Sequence, residues 1–215
     1  MRDFTYAPDK TALDYLHVDD AFLIVNKPAG LLSVPGKTEP DCLEARIQSD
    51  FPGVLTVHRL DMATSGLMVF ARHKDAQRHL GLQFEKRYVE KSYIADVWGQ
   101  IEDEDGDINL PLRCDWPNRP KQIVCHEHGK PAQTRWQVLK RYKQHCRVRL
   151  FPKTGRSHQL RVHMLSLHHP IIGDRLYAHK AAFEAGHRLH LHAESLELRH
   201  PNDGARCTFS CEPPF

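Results

Sequence analysis

The apolar residues of this chain come in short bursts of strand length. Ala21-Phe22-Leu23-Ile24-Val25 is stopped at once by Asn26 and Lys27. It therefore reads as a buried strand and falls far short of the ~20 residues that span a bilayer. Gly66 to Ala71 is a second such run. Ser92 to Trp98 alternates, with Tyr93, Ala95 and Val97 on one face and Ile94 and Trp98 on the other. Further strands are predicted at Gln133 to Leu139, Arg147 to Phe151, Leu189 to Leu198 and Cys207 to Cys211. Helices are fewer. Ala76, Leu80 and Phe84 recur every four residues within Asp75 to Lys86, and Ser157 to His168 carries a stripe of Leu160, Met164 and Leu167. A short helix at Asp41 to Ser49 is expected to be capped by Asp41. Asn26 to Gly30 reads as a turn, and Glu102 to Asp107 as an acidic loop around Gly106.

Many strands, few helices and no regular βαβ alternation predict an α+β fold: a single domain on a largely antiparallel mixed sheet flanked by helices. The polar residues 1–20 are expected to form an arm or an edge element, and residues 21–215 one undivided domain.

The 215 residues are 40% hydrophobic and 27% charged, an ordinary globular balance. The N-terminus MRDFTYAPDK has no apolar signal core, and the six cysteines (42, 114, 125, 146, 207 and 211) contain no C-x-x-C pair. Reduced, mostly buried thiols and a cytoplasmic location are the expectation. The net charge of +3 conceals an asymmetry. Arg119 to His163 holds twelve Lys or Arg and one acid, Glu127, whereas the remainder has 18 bases and 26 acids. Such a window is either a face for a polyanion or an exposed charged surface.

Two segments have the make-up of reactive sites. In Val57-His58-Arg59-Leu60-Asp61-Met62-Ala63-Thr64-Ser65-Gly66, a strand-like approach ends in a carboxylate, followed by small hydroxyl residues and a glycine. The junction can hold an acid at a cleft with its direction set by hydroxyls and amides; an ordinary turn, with Asp61 bonding local amides, is the alternative. In Lys153-Thr154-Gly155-Arg156-Ser157-His158-Gln159-Leu160-Arg161, Thr-Gly is expected to open a helix with Arg156, Ser157 and His158 in its first turn. That is either a seat for phosphate or a plain solvent-exposed helix start. Arg161, one turn in, is placed to pair with a carboxylate.

The segments HRLDMATSG, KSYIADVWG and TGRSHQLRVH, in this order, resemble the signature motifs of the RluA family of pseudouridine synthases. NKPAGLLSVPG (26–36) and HPIIGD (169–174) match segments typical of that family, and RLHLHAESLELRHP extends the likeness to about residue 201. CDWPNRPKQ (114–122) and GKPAQT (129–134) look closest to the branch that acts on both 23S rRNA and tRNA. The resemblance implies the pseudouridine synthase fold and RNA stem-loops as partners. It implies a core that binds RNA without the N-terminal S4 domain many members carry. It makes Asp61 the catalytic aspartate, Tyr93 the ring that stacks on the target base, Arg161 the basic partner of the aspartate, and Arg59 the side chain that replaces the flipped uridine. His58, Lys27, Arg119, Lys121, Arg156, Ser157 and His158 are the further candidates for substrate binding. Because the reaction rearranges one nucleoside, neither cofactor nor metal is expected, nor a membrane partner; a monomer is expected.

Two other readings compete. His192-Ala193-Glu194 with Cys207 and Cys211 approximates the zinc deaminase signature, but the cysteines are spaced C-x-x-x-C and no proline precedes them. A nucleic-acid-binding module without chemistry would explain the basic window, but not the Asp61 junction or the Arg161 motif. The sixteen histidines are scattered and read as surface residues or phosphate contacts.

Overall fold

In the computed structural model, which describes residues 5–215, the predicted strands form at nearly the expected places. The chain begins with β1 (Asp14–Val18), β2 (Phe22–Lys27), α1 (Leu43–Asp50), β3 (Leu55–Thr56), β4 (Ser65–Ala71) and α2 (Lys74–Glu85). It continues with β5 (Glu90–Trp98), β6 (Asp105–Asn109), β7 (Leu112–Cys114), β8 (Gln122–Val124), β9 (Gln133–Arg141) and β10 (His145–Pro152). The last elements are α3 (Gln159–Ser166), α4 (Lys180–Glu184), β11 (Leu191–Arg199) and β12 (Arg206–Ser210). The architecture is α+β, and the pairs β1–β2, β2–β4, β3–β4, β5–β10, β9–β10, β6–β9, β11–β12 and β7–β8 are antiparallel. No helix among the described residues is long and apolar enough to cross a membrane.

Two compact units are present: residues up to Glu90 with Ala193–Glu212, and Lys91–His192 with Pro213–Phe215. In the first, the strand order is β1-β2-β4-β11, with β3 on β4 and β12 on β11. Phe22 to Val25 and Leu67 to Ala71 are buried without a break, because these strands lie inside the sheet and are covered on both faces. α2 lays Ala76 and Leu80 on Leu67, Val69 and Leu196. The first four residues of the expected arm lie outside the described region; Asp14–Val18 forms β1, which pairs antiparallel with β2.

The second unit has the order β5-β10-β9-β6 and a separate hairpin, β7-β8. Its strands keep a period of two. Cys146, Val148 and Leu150 of β10 are buried, while Arg147 and Arg149 lie on the other face. The acidic loop expected at Glu102 to Asp107 is half strand: β6 begins at Asp105 and pairs with β9. Gly106 permits this, since a side chain there would strike the Trp136 indole. The Arg141 guanidinium binds the Glu104 carboxylate and the carbonyls of Ile101, Glu102 and Asp103, which offsets the charge of the turn.

Helix starts differ most from expectation. α1 is capped by Cys42, whose sulfur accepts from Ala45 N–H at 3.4 Å. Asp41 is instead held by Arg46 through two bonds of 2.8 and 2.9 Å. All six cysteines are free thiols, but only Cys42 and Cys146 are buried. Cys114, Cys125, Cys207 and Cys211 are half-buried, because they lie on the small hairpin or along β12 at the side of its sheet.

Candidate active site

Asp61 sits in the first unit, on the loop between β3 and β4, with its neighbours fixed and its side chain half-buried. Ser33 holds one flank: its hydroxyl donates to the Leu60 carbonyl at 2.7 Å and accepts the Leu60 N–H at 3.1 Å. Lys27 holds the other. Its ammonium is fully buried and donates to the carbonyls of Pro28, Leu31 and Met62 at 2.9, 2.7 and 3.0 Å. These carbonyls offset the cost of removing the charge from water. Gly30 N–H donates to the same Met62 carbonyl at 2.8 Å, and Thr64 N–H closes the turn on the Asp61 carbonyl at 3.1 Å. His58 Nε2 accepts from Val69 N–H at 3.1 Å and its ring stacks on Phe84. Gly66 completes the junction. It has a φ of +112°, and any side chain would collide with the Ala193 backbone of β11.

This unit thus brings His58, Lys27 and Asp61 together around one loop. Lys27 binds backbone carbonyls of the loop and of the Pro28–Leu31 turn, and His58 binds the backbone of β4. Arg59 is exposed. The sequence motif NKPAGLLSVPG contains both Lys27 and Ser33, but nothing in the spacing alone pointed to Ser33 as the support of Leu60.

In the second unit, Arg161 is 5% exposed and carries a partner that sequence reasoning missed, Asp174. Arg161 Nε donates to Asp174 Oδ2 at 2.8 Å and Nη2 to Oδ1 at 2.7 Å. Asp174 Oδ1 also accepts the N–H groups of Leu176 and Tyr177 at 2.9 and 3.2 Å. The guanidinium lies 5.0 Å from the centre of the Tyr177 ring. Asp174 ends the HPIIGD motif, where Gly173 has a φ of +73° and packs against the Arg188 carbonyl with no room for a side chain.

The expected helix start is corrected. Arg156, Ser157 and His158 precede α3, and His158 has a left-handed backbone, φ 54° and ψ 16°. The cause is the buried Gln159 amide. Its Oε1 accepts from Thr154 Oγ1 at 2.7 Å and from Arg156 N–H at 3.0 Å, and its Nε2 donates to Gln133 O and Thr134 Oγ1, both at 2.9 Å. These bonds pull the loop over the helix end, so the Arg156 amide is already used. The Arg156 guanidinium is exposed and donates to Pro131 O at 3.1 Å, and Ser157 is exposed. His158 Nδ1 lies 2.7 Å from the Tyr177 hydroxyl. Burial of the His163 ring, between Thr134 Oγ1 and Leu110 O, pushes its pKa down from 6.5.

Tyr177 reaches further, accepting the Gln122 N–H of the β7-β8 hairpin at 2.7 Å. Arg161, His158 and the hairpin that bears Arg119 and Lys121 are therefore joined through Asp174 and Tyr177. Tyr93 stands half-buried on β5, opposite Leu150 of β10. Of the basic window, Arg119, Lys130, Arg135, Lys140, Lys143, Lys153 and Arg156 are exposed. Arg147 is drawn to Asp96 at 2.8 Å. Among the described residues, no group of three or more His, Cys, Asp or Glu is arranged to hold a metal ion. The Cys211 thiol of the competing zinc reading is pushed up to about 12 by burial and by the nearby Asp14, Glu194 and Glu212.

Comparison with known proteins gives one consistent result. A family described as RNA pseudouridylate synthase matches residues 21–166. The dual-specificity RNA pseudouridine synthase RluA of Yersinia pestis is 53% identical over 203 residues, covering 93% of this chain and 98% of that protein. Its counterpart in Escherichia coli K12 is 52% identical over 211 residues, covering 97% and 96%. Among solved structures, human RNA pseudouridylate synthase domain containing 1 has a TM-score of 0.82 at 29% identity, covering 98% of this chain and 87% of that one. Human RNA pseudouridylate synthase domain containing 4 has a TM-score of 0.76 at 26% identity, covering 93% and 88%.

Proposed function

Because the chain belongs to the RNA pseudouridylate synthase family, we propose that it isomerises uridine to pseudouridine in folded RNA, at stem-loops of 23S rRNA and of tRNA. The reaction breaks the bond from uracil N1 to ribose C1′, turns the base and joins C5 to C1′. The proton on C5 is lost and N1 ends protonated, so nothing is oxidised and no group is carried. No second carboxylate is needed to activate water, as it would be in a glycosidase.

Asp61 is the carboxylate that acts on the nucleoside. The target base must first leave its stack. Arg59, exposed two residues before Asp61, fills the gap, and Tyr93 receives the base. Arg161 is the basic partner of the reaction, and its direction is set by Asp174. Arg119, Lys121 and Arg156, with Ser157 and His158, bind the RNA backbone. Lys27 and His58 serve the substrate through the loop they hold. The enzyme works as a cytoplasmic monomer without cofactor or metal.

The observation that carries this reading is the fixing of Asp61. Leu60 and Met62 are each tied through the backbone, to Ser33 and to Lys27, leaving the carboxylate between them on a stiff support. Asp61→Asn preserves size and removes charge. It is expected to abolish pseudouridine formation in a synthetic tRNA stem-loop and leave the affinity for that RNA nearly intact. Turnover near the parent rate by a folded variant would remove Asp61 from the mechanism. Mapping pseudouridine in total RNA with and without the protein tests the two substrates: specific sites in 23S rRNA and in tRNA should both disappear.

A further inference from the structure

Trp116 is the most exposed large hydrophobic side chain of the second unit among the described residues, at 64%. It stands in the turn of the β7-β8 hairpin, and that turn is rigidly built. Asp115 N–H donates to Lys121 O at 2.9 Å, Asn118 N–H to Asp115 O at 3.0 Å, and Lys121 N–H to Asn118 O at 3.1 Å. The Asn118 amide also donates to the Asp115 carboxylate at 2.9 Å. The hairpin itself is anchored. Leu112 packs with Ala132 and with Val162 of α3, Val124 and Tyr177 pack against that cluster, and Gln122 N–H is bound by the Tyr177 hydroxyl. An indole held open to water on a fixed turn gains nothing from the fold.

Its surroundings indicate the kind of ligand it awaits. The Arg119 guanidinium lies 4.4 Å from the centre of the indole, and the ring is still mostly open. Arg113 on β7 is exposed, as is Lys130, which lies beyond β8 and pairs backbone to backbone with Leu112, and Lys121 is half-buried at the base of the turn. The Asp115 carboxylate is taken up by Asn118. A flat π-surface set among cations on a rigid mount suits a ligand with flat rings on an anionic chain, which is single-stranded nucleic acid.

We propose that Trp116 and Arg119 form a stacking platform for an unpaired base of the substrate stem-loop, other than the uridine that is isomerised. Arg119 and the neighbouring cations take the phosphates beside that base. Since Tyr177 ties this hairpin to Asp174 and His158, the platform fixes the RNA relative to the Arg161 helix. It is therefore a determinant of which loops are accepted. The proposal rests on the reading of this chain as an enzyme of RNA stem-loops, and turnover of a synthetic tRNA stem-loop by the parent protein tests that reading separately.

The test compares Trp116→Ala and Trp116→Phe in the full chain, with binding of the same stem-loop measured by anisotropy. Loss of one base stack is expected to weaken binding roughly five- to a hundredfold in Trp116→Ala. Trp116→Phe, which keeps a π-face, should stay within about threefold of the parent. The rate at saturating RNA should hold in both, with the loss appearing in KM. The ring is exposed, so the melting temperature should not move. Intrinsic fluorescence gives a second readout: the stem-loop should quench the parent more than it quenches Trp116→Phe. An affinity of Trp116→Ala within about twofold of the parent overturns the proposal and leaves the ring to a protein partner. A loss equally large for a fully paired duplex overturns it too, because a duplex offers no free base.

Discussion

Arg161 and Asp174 share a two-point ion pair, with Nε to Oδ2 at 2.8 Å and Nη2 to Oδ1 at 2.7 Å, at side-chain exposures of 5% and 0%. Both planar groups are thereby locked in direction. Such a pair adds little net stability over a packed apolar pair of the same size, yet breaking one side is costly, because the other charge stays buried.

Arg161→Met and Asp174→Asn should each lower the unfolding free energy by about 3 kcal/mol, read from urea titrations. The double change Arg161→Met, Asp174→Asn should recover part of that loss, since neither charge of the pair is left over and the amide oxygen at 174 still accepts the Leu176 and Tyr177 N–H groups. Under the role proposed for the Arg161 guanidinium, activity should not return with it. A single variant as stable as the parent would show that the pair is solvated in solution. A normal rate at saturating RNA in Arg161→Met would make the residue a binding contact alone.

Ser33→Ala tests the support of the loop that carries Asp61. Ser33 is buried and serves both backbone groups of Leu60. Its loss leaves a buried N–H and C=O unpaired, worth about 1–3 kcal/mol of stability. A carboxylate displaced by a fraction of an ångström loses reactivity faster than a binding surface loses affinity. The expectation is a roughly tenfold or greater fall in kcat with KM nearly unchanged, and partial restoration by Ser33→Thr, which keeps the hydroxyl. Equal losses in kcat and affinity would instead mean that the loop binds RNA directly.

Much of this is legible in the sequence, for reasons that particular residues make plain. Phe22 to Val25 and Leu67 to Ala71 are apolar without a break because nothing else can fill the inside of a sheet, and Arg147 and Arg149 alternate with Cys146, Val148 and Leu150 because one face of β10 is open. The motifs single out Asp61 and Arg161 for the proposed roles because a reacting group must be of a given type at a given place. Bonds between distant residues leave no such trace. Thr154, Gly155 and Ser157 have the composition of a helix start, but the Gln159 amide outcompetes it, and a left-handed His158 has no sequence signal. The Arg161–Asp174 pair lies inside two motifs, yet nothing in the letters joins positions 161 and 174.

His163 carries a pH dependence whose sign follows from its burial. The folded ring has its pKa pushed below 6.5, whereas the unfolded chain titrates near 6.5. Below that value the unfolded state takes up a proton that the folded ring refuses. The stabilisation is thus complete above pH ~6.5 and is lost as pH falls toward the folded pKa, by at most about 1.4 kcal/mol per pH unit. His163→Gln should be less stable than the parent at pH 7.5, and the gap should narrow at pH 5.5. A constant gap between the two would mean that the ring is protonated equally in both states.

The basic window gives the last expectation. Arg119, Lys130, Arg135, Lys140, Lys143, Lys153 and Arg156 are exposed, and Lys121 is half-buried beside them in sequence. Exposure alone does not distinguish an RNA-binding face from a solvated one. Salt does, because each single-strand phosphate neutralised on binding releases counterions and adds about 0.7 to the slope of log affinity against log salt. Lys121 and Arg156 are the informative pair. Lys121 closes the hairpin turn through its backbone, and Arg156 donates to Pro131 O through one nitrogen and presents the rest of its head to solvent. Neither side chain belongs to the buried Gln159 network, which holds Arg156 only by its backbone N–H, so reversal to Glu should leave the fold intact. Lys121→Glu with Arg156→Glu should weaken stem-loop binding most at low salt and flatten the slope by about 1.4, two phosphates' worth. The rate at saturating RNA should stay within a few-fold of the parent. An unchanged slope in the double variant would mean that these cations face solvent throughout the reaction, and that the phosphates are held by other residues of the window.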